Sequence, residues 1–328
     1  MVKLRAGSKV EGSEEGAKKR RKIPDTAPLI GVLVLMMVYF TFTSEYFFQV
    51  ENFKNVLANA AVTGIVCIPS TFLIIAGQID LSVGSAAAVS GMMLAQVVNA
   101  HGVVLGLTSV LLFGLVFGVF NGFLVTVVGV NALITTLGGL GFLYGVALLI
   151  GNGQTVGMDN FEWLGVAQPL NIPLPIIIFA ALAALGAITL RYTKFGRSIY
   201  AIGSNPNAAR VVGIRSNRII FQTFVLSAVA SAFAGAVLTS QLSAGSPNSG
   251  LGLELQVVTA IVLGGASLAG GRGSIFGTVL GLLIVGILNN GLILMDVPTF
   301  WQRIAQGLML ILAVSFDSIR AKLNNTRS

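Results

Sequence analysis

Residues 103–128, VVLGLTSVLLFGLVFGVFNGFLVTVV, carry no charge, and glycine recurs there at Gly114, Gly118 and Gly122. As a helix rising 1.5 Å per residue, a run of this length exceeds the ~30 Å of hydrocarbon in a bilayer. Lipid cannot satisfy open backbone groups, so a chain crossing it folds as helix. Nine further apolar runs lie at about 28–44, 54–76, 82–99, 132–151, 172–190, 219–241, 253–270, 274–295 and 300–316. Composition agrees. The 328 residues are 55% hydrophobic and only 10% charged, against roughly 25% charged in soluble domains, and mean hydropathy is +0.88. Most soluble enzymes are excluded. The sequence reads as an all-α polytopic membrane protein with about ten transmembrane helices over 27–316.

The glycine spacing has a physical purpose. Small residues every fourth position let helix backbones approach closely, and in lipid such packing replaces the absent hydrophobic drive. Gly273, Gly277 and Gly281 repeat the spacing, as do Ser227, Ser231 and Gly235. A compact bundle is expected.

The basic residues orient it. Eight lie in 1–26, six in 191–218, one at Arg272, and three at Arg320, Lys322 and Arg327, so 18 of 20 fall on one side if both termini are cytoplasmic. Only Lys54 and Arg303 lie elsewhere, and the longest outer loop, about 152–171, carries Asp159 and Glu162 without a basic residue. The net charge of +8 is therefore an orientation signal. The basic start resembles a secretory signal but lacks a small-residue cleavage pattern. It is expected to be a disordered cytoplasmic tail over 1–26, with a second tail over 317–328. Five runs precede the long outer loop and five follow it, which raises the expectation of a 5+5 inverted repeat.

Absences narrow the chemistry. The chain has no G-x-x-x-x-G-K-[ST] and no Gly-Lys dipeptide, hence no P-loop of its own. Cys67 and His101 are its only cysteine and histidine, which excludes disulfide frameworks and His- or Cys-cluster metal sites. Asp80 is the only acid deep in apolar sequence; Glu254 is read near an outer helix end. Asp80 either caps the following helix or takes part directly in a substrate or proton path. Around it, Gly77, Gln78, Asp80 and Ser82 leave almost no loop. Residues 77–82 are thus either a tight hairpin or a helix broken within the membrane.

The segment 191–218, RYTKFGRSIYAIGSNPNAARVVGIRSNR, has six basic residues and no acid. Asn205 suits an N-cap and Pro206 the first helical position, Ala208–Val212 continue the helix, and Gly213 stops it. A short helix held toward the cytoplasm by a rigid bundle is a docking element for an external motor, or else an amphipathic segment on anionic headgroups.

TKFGR (193–197), AIGSN (201–205), AAR (208–210) and GI (213–214) resemble the coupling segment of permease subunits of bacterial ABC sugar importers, in the ribose, xylose, arabinose and galactose subgroup. GQIDLSVGS (77–85), NG (121–122), NALITTL (131–137), VLGGASLAGGRG (262–273), GTVLG (277–281) and NNGL (289–292) extend the resemblance over nearly the whole chain. The related branched-chain amino acid permeases usually carry acidic residues after the Ala-Ile pair, where this chain has Gly203, Ser204, Asn205 and Pro206. Gln78 departs from the glycine frequent in the sugar permeases.

The resemblance implies a type II ABC importer-like bundle in the cell inner membrane, as a homodimer or a heterodimer with a similar permease. The sugar path would lie at the two-fold interface. A P-loop ATPase subunit binding ATP and Mg would dock at Gly196, Arg197, Gly203, Asn205, Pro206, Ala208, Ala209, Arg210 and Gly213. An extracytoplasmic sugar-binding protein would deliver a monosaccharide, a pentose or related sugar, to the outer face. The chain itself would be no enzyme and hold no cofactor, and no nucleic-acid partner is implied. Path candidates are Asp80, Ser82, Asn131, Thr135, Asn289 and Asn290, within a wider polar set that includes Asn59, Thr63, Ser70, Asn121 and Thr136. Glu254 and Asp296 are expected on the outer docking surface. The alternatives are a permease for another small polar solute and a self-contained secondary transporter using Asp80.

Overall fold

The computed structural model describes residues 27–325, so the tail expected at 1–26 lies outside the described residues. The chain is helical nearly throughout. The first half holds α1 (Ala27–Thr43), α2 (Val50–Ile75), α3 (Val83–His101), α4 (Val103–Phe123, continued by a π turn to Val128) and α5 (Ala132–Ile150). A loop carrying β1 (Val156–Gly157) and α6 (Trp163–Val166) leads to α7 (Leu174–Tyr192), α8 (Lys194–Ser204), α9 (Pro206–Val211) and α10 (Ser216–Leu242). Then come β2 (Ala244–Gly245), α11 (Leu253–Leu263), α12 (Ile275–Leu294) and α13 (Thr299–Asn325). Of the expected tail at 317–328, residues up to Asn325 continue α13.

Among the described residues, seven helices are long and apolar enough to cross a membrane: α2, α3, α4 with its π turn, α5, α7, α10 and α12. The expected run 253–270 is different. Helix there stops at Leu263, and its 11 residues reach only about 16 Å, half a hydrocarbon core. Gly264, Gly265, Gly270, Gly271 and Gly273 follow, four of them at positive φ, and they turn the chain instead of extending the helix.

α2 forms the axis of the bundle. Every residue from Ala60 to Ala76 is buried, and α2 contacts α7, α10, α11 and α12. By contrast α4, α5 and α7 leave most of their residues outside the buried core. The glycine spacing works as expected on α4: a Cβ on Gly114, Gly118 or Gly122 would come 2.8, 2.7 or 2.9 Å from atoms of α10. Gly277 and Gly281 likewise bring α12 against Gly264 and Ala260. Gly235 sets α10 on the backbone of Ala87 in α3.

A leucine at Gly118 would have to push the α10 backbone at Val225 aside. Gly118→Leu is expected to destabilise the bundle by roughly 1–3 kcal/mol, seen as a lower melting temperature in detergent. Gly31→Leu, where nothing lies within 4 Å of the added carbon, is expected to leave it unchanged.

Candidate functional site

The chain between α2 and α3 is neither helix nor a hairpin turn. Gly77 takes φ +77°, residues 78–82 run without regular structure, and α3 then packs chiefly on α10, α4 and α5 rather than on α2. The segment is an unwound stretch that runs from exposed Gly77 to buried Asp80 and Ser82. Such backbone is tolerated at membrane depth only when protein satisfies its polar groups.

Asp80 organises this stretch. Its Oδ1 accepts the Ser82 N–H at 3.0 Å and the Ser82 hydroxyl, and its Oδ2 accepts the Ser227 hydroxyl of α10 at 3.2 Å. Asn121 of α4 donates from Nδ2 to Ser82 Oγ at 3.2 Å, and Thr136 of α5 approaches Ile79 O at 3.5 Å. One carboxylate thus ties the unwound segment to α10 directly and, through Ser82, to α4. It also precedes the positive end of α3, which favours an anion there. It accepts the Ser82 N–H, one residue ahead of the first helical residue, Val83. Its three partners are neutral, and the ion pair formed among the described residues is Lys54–Glu51. Asp80 and Ser82 are buried, with 6% and 0% exposure, so the cluster is sealed within one chain.

A second unwound stretch meets it. After α10 the chain folds back along α3: Gly245 lies against Gly91 O, and Gly250 and Gly84 touch backbone to backbone. β2 pairs antiparallel with β1, pinning the 152–171 loop to this segment. Ser240 adds bonds to both Gly165 N (2.9 Å) and Phe161 O (2.7 Å). α11 then starts beside the first turn of α3, so the two helix N-termini adjoin at Gly84 and Gly250. Glu254, in the first turn of α11, lies against Gly84. This corrects the expected outer position of Glu254. The Ser-Gly-Pro-Asn composition of 243–252 marks a loop but gives no sign that it turns inward.

The remaining path candidates separate. Asn131 is exposed and caps α5, accepting Leu133 N at 2.9 Å and Ile134 N at 3.4 Å. Thr135 bonds only to its own helix, at Asn131 O, 3.0 Å. Asn290 forms a reciprocal amide pair with Asn52 of α2 (3.0 and 2.8 Å), and Asn289 accepts from Gln306 of α13 at 3.0 Å. Asn289 and Asn290 are ties between helices, apart from the Asp80 cluster. Ser227 belongs to that cluster, although its sequence pattern signals packing alone.

The segment 191–218 holds two helices where one is expected. Thr193 caps α8 through Gly196 N (3.1 Å), and Asn205 caps α9 through Asn207 N (3.1 Å) and Ala208 N (3.0 Å). α8 turns Phe195 and Ile199 inward onto Phe72, Leu190 and Ile275, and Ile202 is buried as well. Tyr200 donates to Gly273 O at 2.8 Å, and burial raises its phenol pKa. Of the expected docking residues, Gly196, Gly203 and Ala209 face the bundle, whereas Arg197, Asn205, Pro206, Ala208, Arg210 and Gly213 are exposed.

Gly203 is the closest contact. A Cβ there would collide with Ile75 O and Gly271 N, while Gly271 N itself donates to Ile75 O at 2.8 Å. Gly270 rests on both Gly203 and Gly77. The end of α8, the glycine loop and the end of α2 therefore form one backbone junction, continuous through Ala76 and Gly77 with the Asp80 segment. Surface helix and buried cluster are mechanically linked.

Residues 52–314 match the family described as branched-chain amino acid transport system / permease component. The chain belongs to this permease family. It is 36% identical over 297 residues to the ribose import permease protein RbsC of Escherichia coli K12, covering 88% of this chain and 92% of that one. It is 33% identical to the xylose transport system permease protein XylH of Haemophilus influenzae, covering 90% and 96%. With the L-arabinose ABC transporter permease protein AraH of Azospirillum brasilense the figure is 36%, covering 88% and 87%. No solved structure matches. In this permease the linked elements, α8 and the 77–82 segment, are among those on which the sequence resemblance rests.

Asp80→Ala would strand the Ser82 N–H and the two hydroxyls. It is expected to cost about 1–3 kcal/mol, and Ser227→Ala, which removes one donor, about 1 kcal/mol, measured as melting-temperature shifts in detergent.

Proposed function

We propose that this chain is the membrane-embedded permease subunit of an ATP-driven ABC importer for a monosaccharide, a pentose or related sugar. The observation that carries the reading is the α8–α9 element, fixed to the end of α2 through Gly203 and presenting Asn205, Ala208 and Arg210 outward. Val211 and Val212, 88% and 73% exposed, add the apolar contact area a docked partner would cover. Family membership and the sugar permeases among the relatives support the solute class.

The chain's own work would be mechanical. A partner ATPase binding ATP and Mg closes on α9. The push passes through Gly203 and Gly271 to Ile75, and so to residues 77–82. An extracytoplasmic binding protein hands over the sugar on the opposite face, in the inner membrane, with both termini cytoplasmic. Because the Asp80 cluster is sealed, it serves best as the hinge that reads the push. The path then lies between two permease chains, along α5, where Gly138, Gly141 and Gly145 share an open face with Asn131. Asn131 and the neighbouring Thr135 are the polar groups of that region. Helix, unwound stretch and helix recur as α2 to α3 and α10 to α11. This supports an inverted repeat within a fold of about ten membrane helices.

Reconstitution tests the reading. Proteoliposomes with the permease, its tandem P-loop ATPase and its binding protein should accumulate labelled ribose or xylose only with ATP inside. Accumulation by the permease alone, driven by a sugar or proton gradient, would overturn the assignment. Arg210→Glu is expected to weaken ATPase co-purification about tenfold or more while leaving the melting temperature unchanged. Gly203→Leu should lower ATP-dependent uptake with the ATPase still bound.

A further inference from the structure

A groove of about 960 Å³ lies between α2, α4, α7 and α10. It is not part of the Asp80 cluster. Ile68 and Phe72 of α2 form its floor, and Leu115, Leu185, Val225 and Phe233 are in its walls. Leu115 and Leu185 are exposed, so the groove opens toward the hydrocarbon. Polar lining is confined to Thr189 and Gln222, near the ends of α7 and α10 that adjoin the basic segment.

Charge is concentrated at that end. Arg218 precedes the lining residue Gln222 by one helical turn, and so shares its face. Lys194 precedes Phe195, which also lines the groove, whereas Arg191, two residues past Thr189 in α7, falls on the opposite face of that helix. Arg218 and Lys194 are exposed, and neither forms an ion pair among the described residues. An apolar trough opening to the bilayer and ending under unpaired cations has the polarity of one lipid, tails inside and anionic headgroup at the basic rim. The wall is unlike a helix–helix contact. It presents large branched side chains, where close approach in lipid uses small ones, and the open glycine face of this chain is on α5.

We propose that this groove binds an anionic phospholipid from the leaflet on the α8–α9 side, with its phosphate held by Arg218 and assisted by Lys194. Bound there, the lipid would lie against Phe72 and Phe195, the pair joining α2 to α8.

The full-length permease, delipidated in detergent, is titrated with dioleoyl phosphatidylglycerol and with dioleoyl phosphatidylcholine, and retained lipid is counted by native mass spectrometry. Phosphatidylglycerol is expected to bind one per chain, with an affinity about tenfold above phosphatidylcholine. Arg218→Gln should remove that preference but retain binding of both lipids. Ala230→Phe, which fills the groove, should remove the bound lipid. Equal affinity for the two lipids, or a preference unchanged in Arg218→Gln, overturns the proposal. So does efficient disulfide cross-linking of Leu185→Cys between two chains in native membranes, which would make the groove a chain–chain contact. Should Ala230→Phe fail to fold, the Arg218 comparison still decides. Lipid binding is read on the permease alone, so its failure leaves the importer assignment standing, and the converse holds.

Discussion

A backbone amide or carbonyl left unpaired in hydrocarbon costs several kcal/mol. That constraint bears on two non-helical stretches that pack against the bundle, 76–82 and 243–252. Asp80 and Ser82 in the first, and Gly245, Pro247 and Gly250 in the second, are buried. The enclosure of α2, the alignment of 243–252 along α3, and the Gly84–Gly250 contact all follow from having to cover them. Asp80 serves the same end: a carboxylate with free lone pairs accepts what the unwound backbone and Ser82 must donate.

Glycine acts here in two ways. On α4 it removes bulk so that helix faces meet along their length, which suits a contact between straight, regular elements. At Gly203, Gly270 and Gly271 it brings three separate backbones together at a point. Any side chain at Gly203 would hold α8 away from Ile75, and the surface helix would lose its purchase on α2. The first use gives the bundle cohesion, and the second gives it a transmission point.

Much of this was legible in the sequence. Apolar runs marked the long helices because hydrophobicity records a side chain's environment directly. Asn205-Pro206 and Gly213 marked the limits of α9 because capping chemistry is local. Inward folding of 243–252 was not legible: its residues suit any loop, and only the backbone of α3 determines where that loop rests. For the same reason Glu254 was misplaced, and Ser227 looked like a packing residue. Helix α11 was overestimated because hydropathy continues through Ala266 and Leu268, whereas the glycines beyond Leu263 end the helix by conformation. Asp80 was recognised as exceptional from its apolar surroundings, but its role as a tie between α10 and the unwound segment needed the third dimension.

The junction at Gly203 has a reciprocal consequence. A connection without slack carries displacement both ways, and linkage requires that coupling between two binding events be equal in each direction. Under the proposed function, a ligand whose binding favours one arrangement of residues 77–82 would change the affinity of the Asn205–Arg210 surface for a docked ATPase. The ATPase would change the ligand's affinity by the same factor. On the proposed importer reading, a loaded permease and an empty one would present different faces to a docked ATPase, and the junction would act as a sensor as much as a lever.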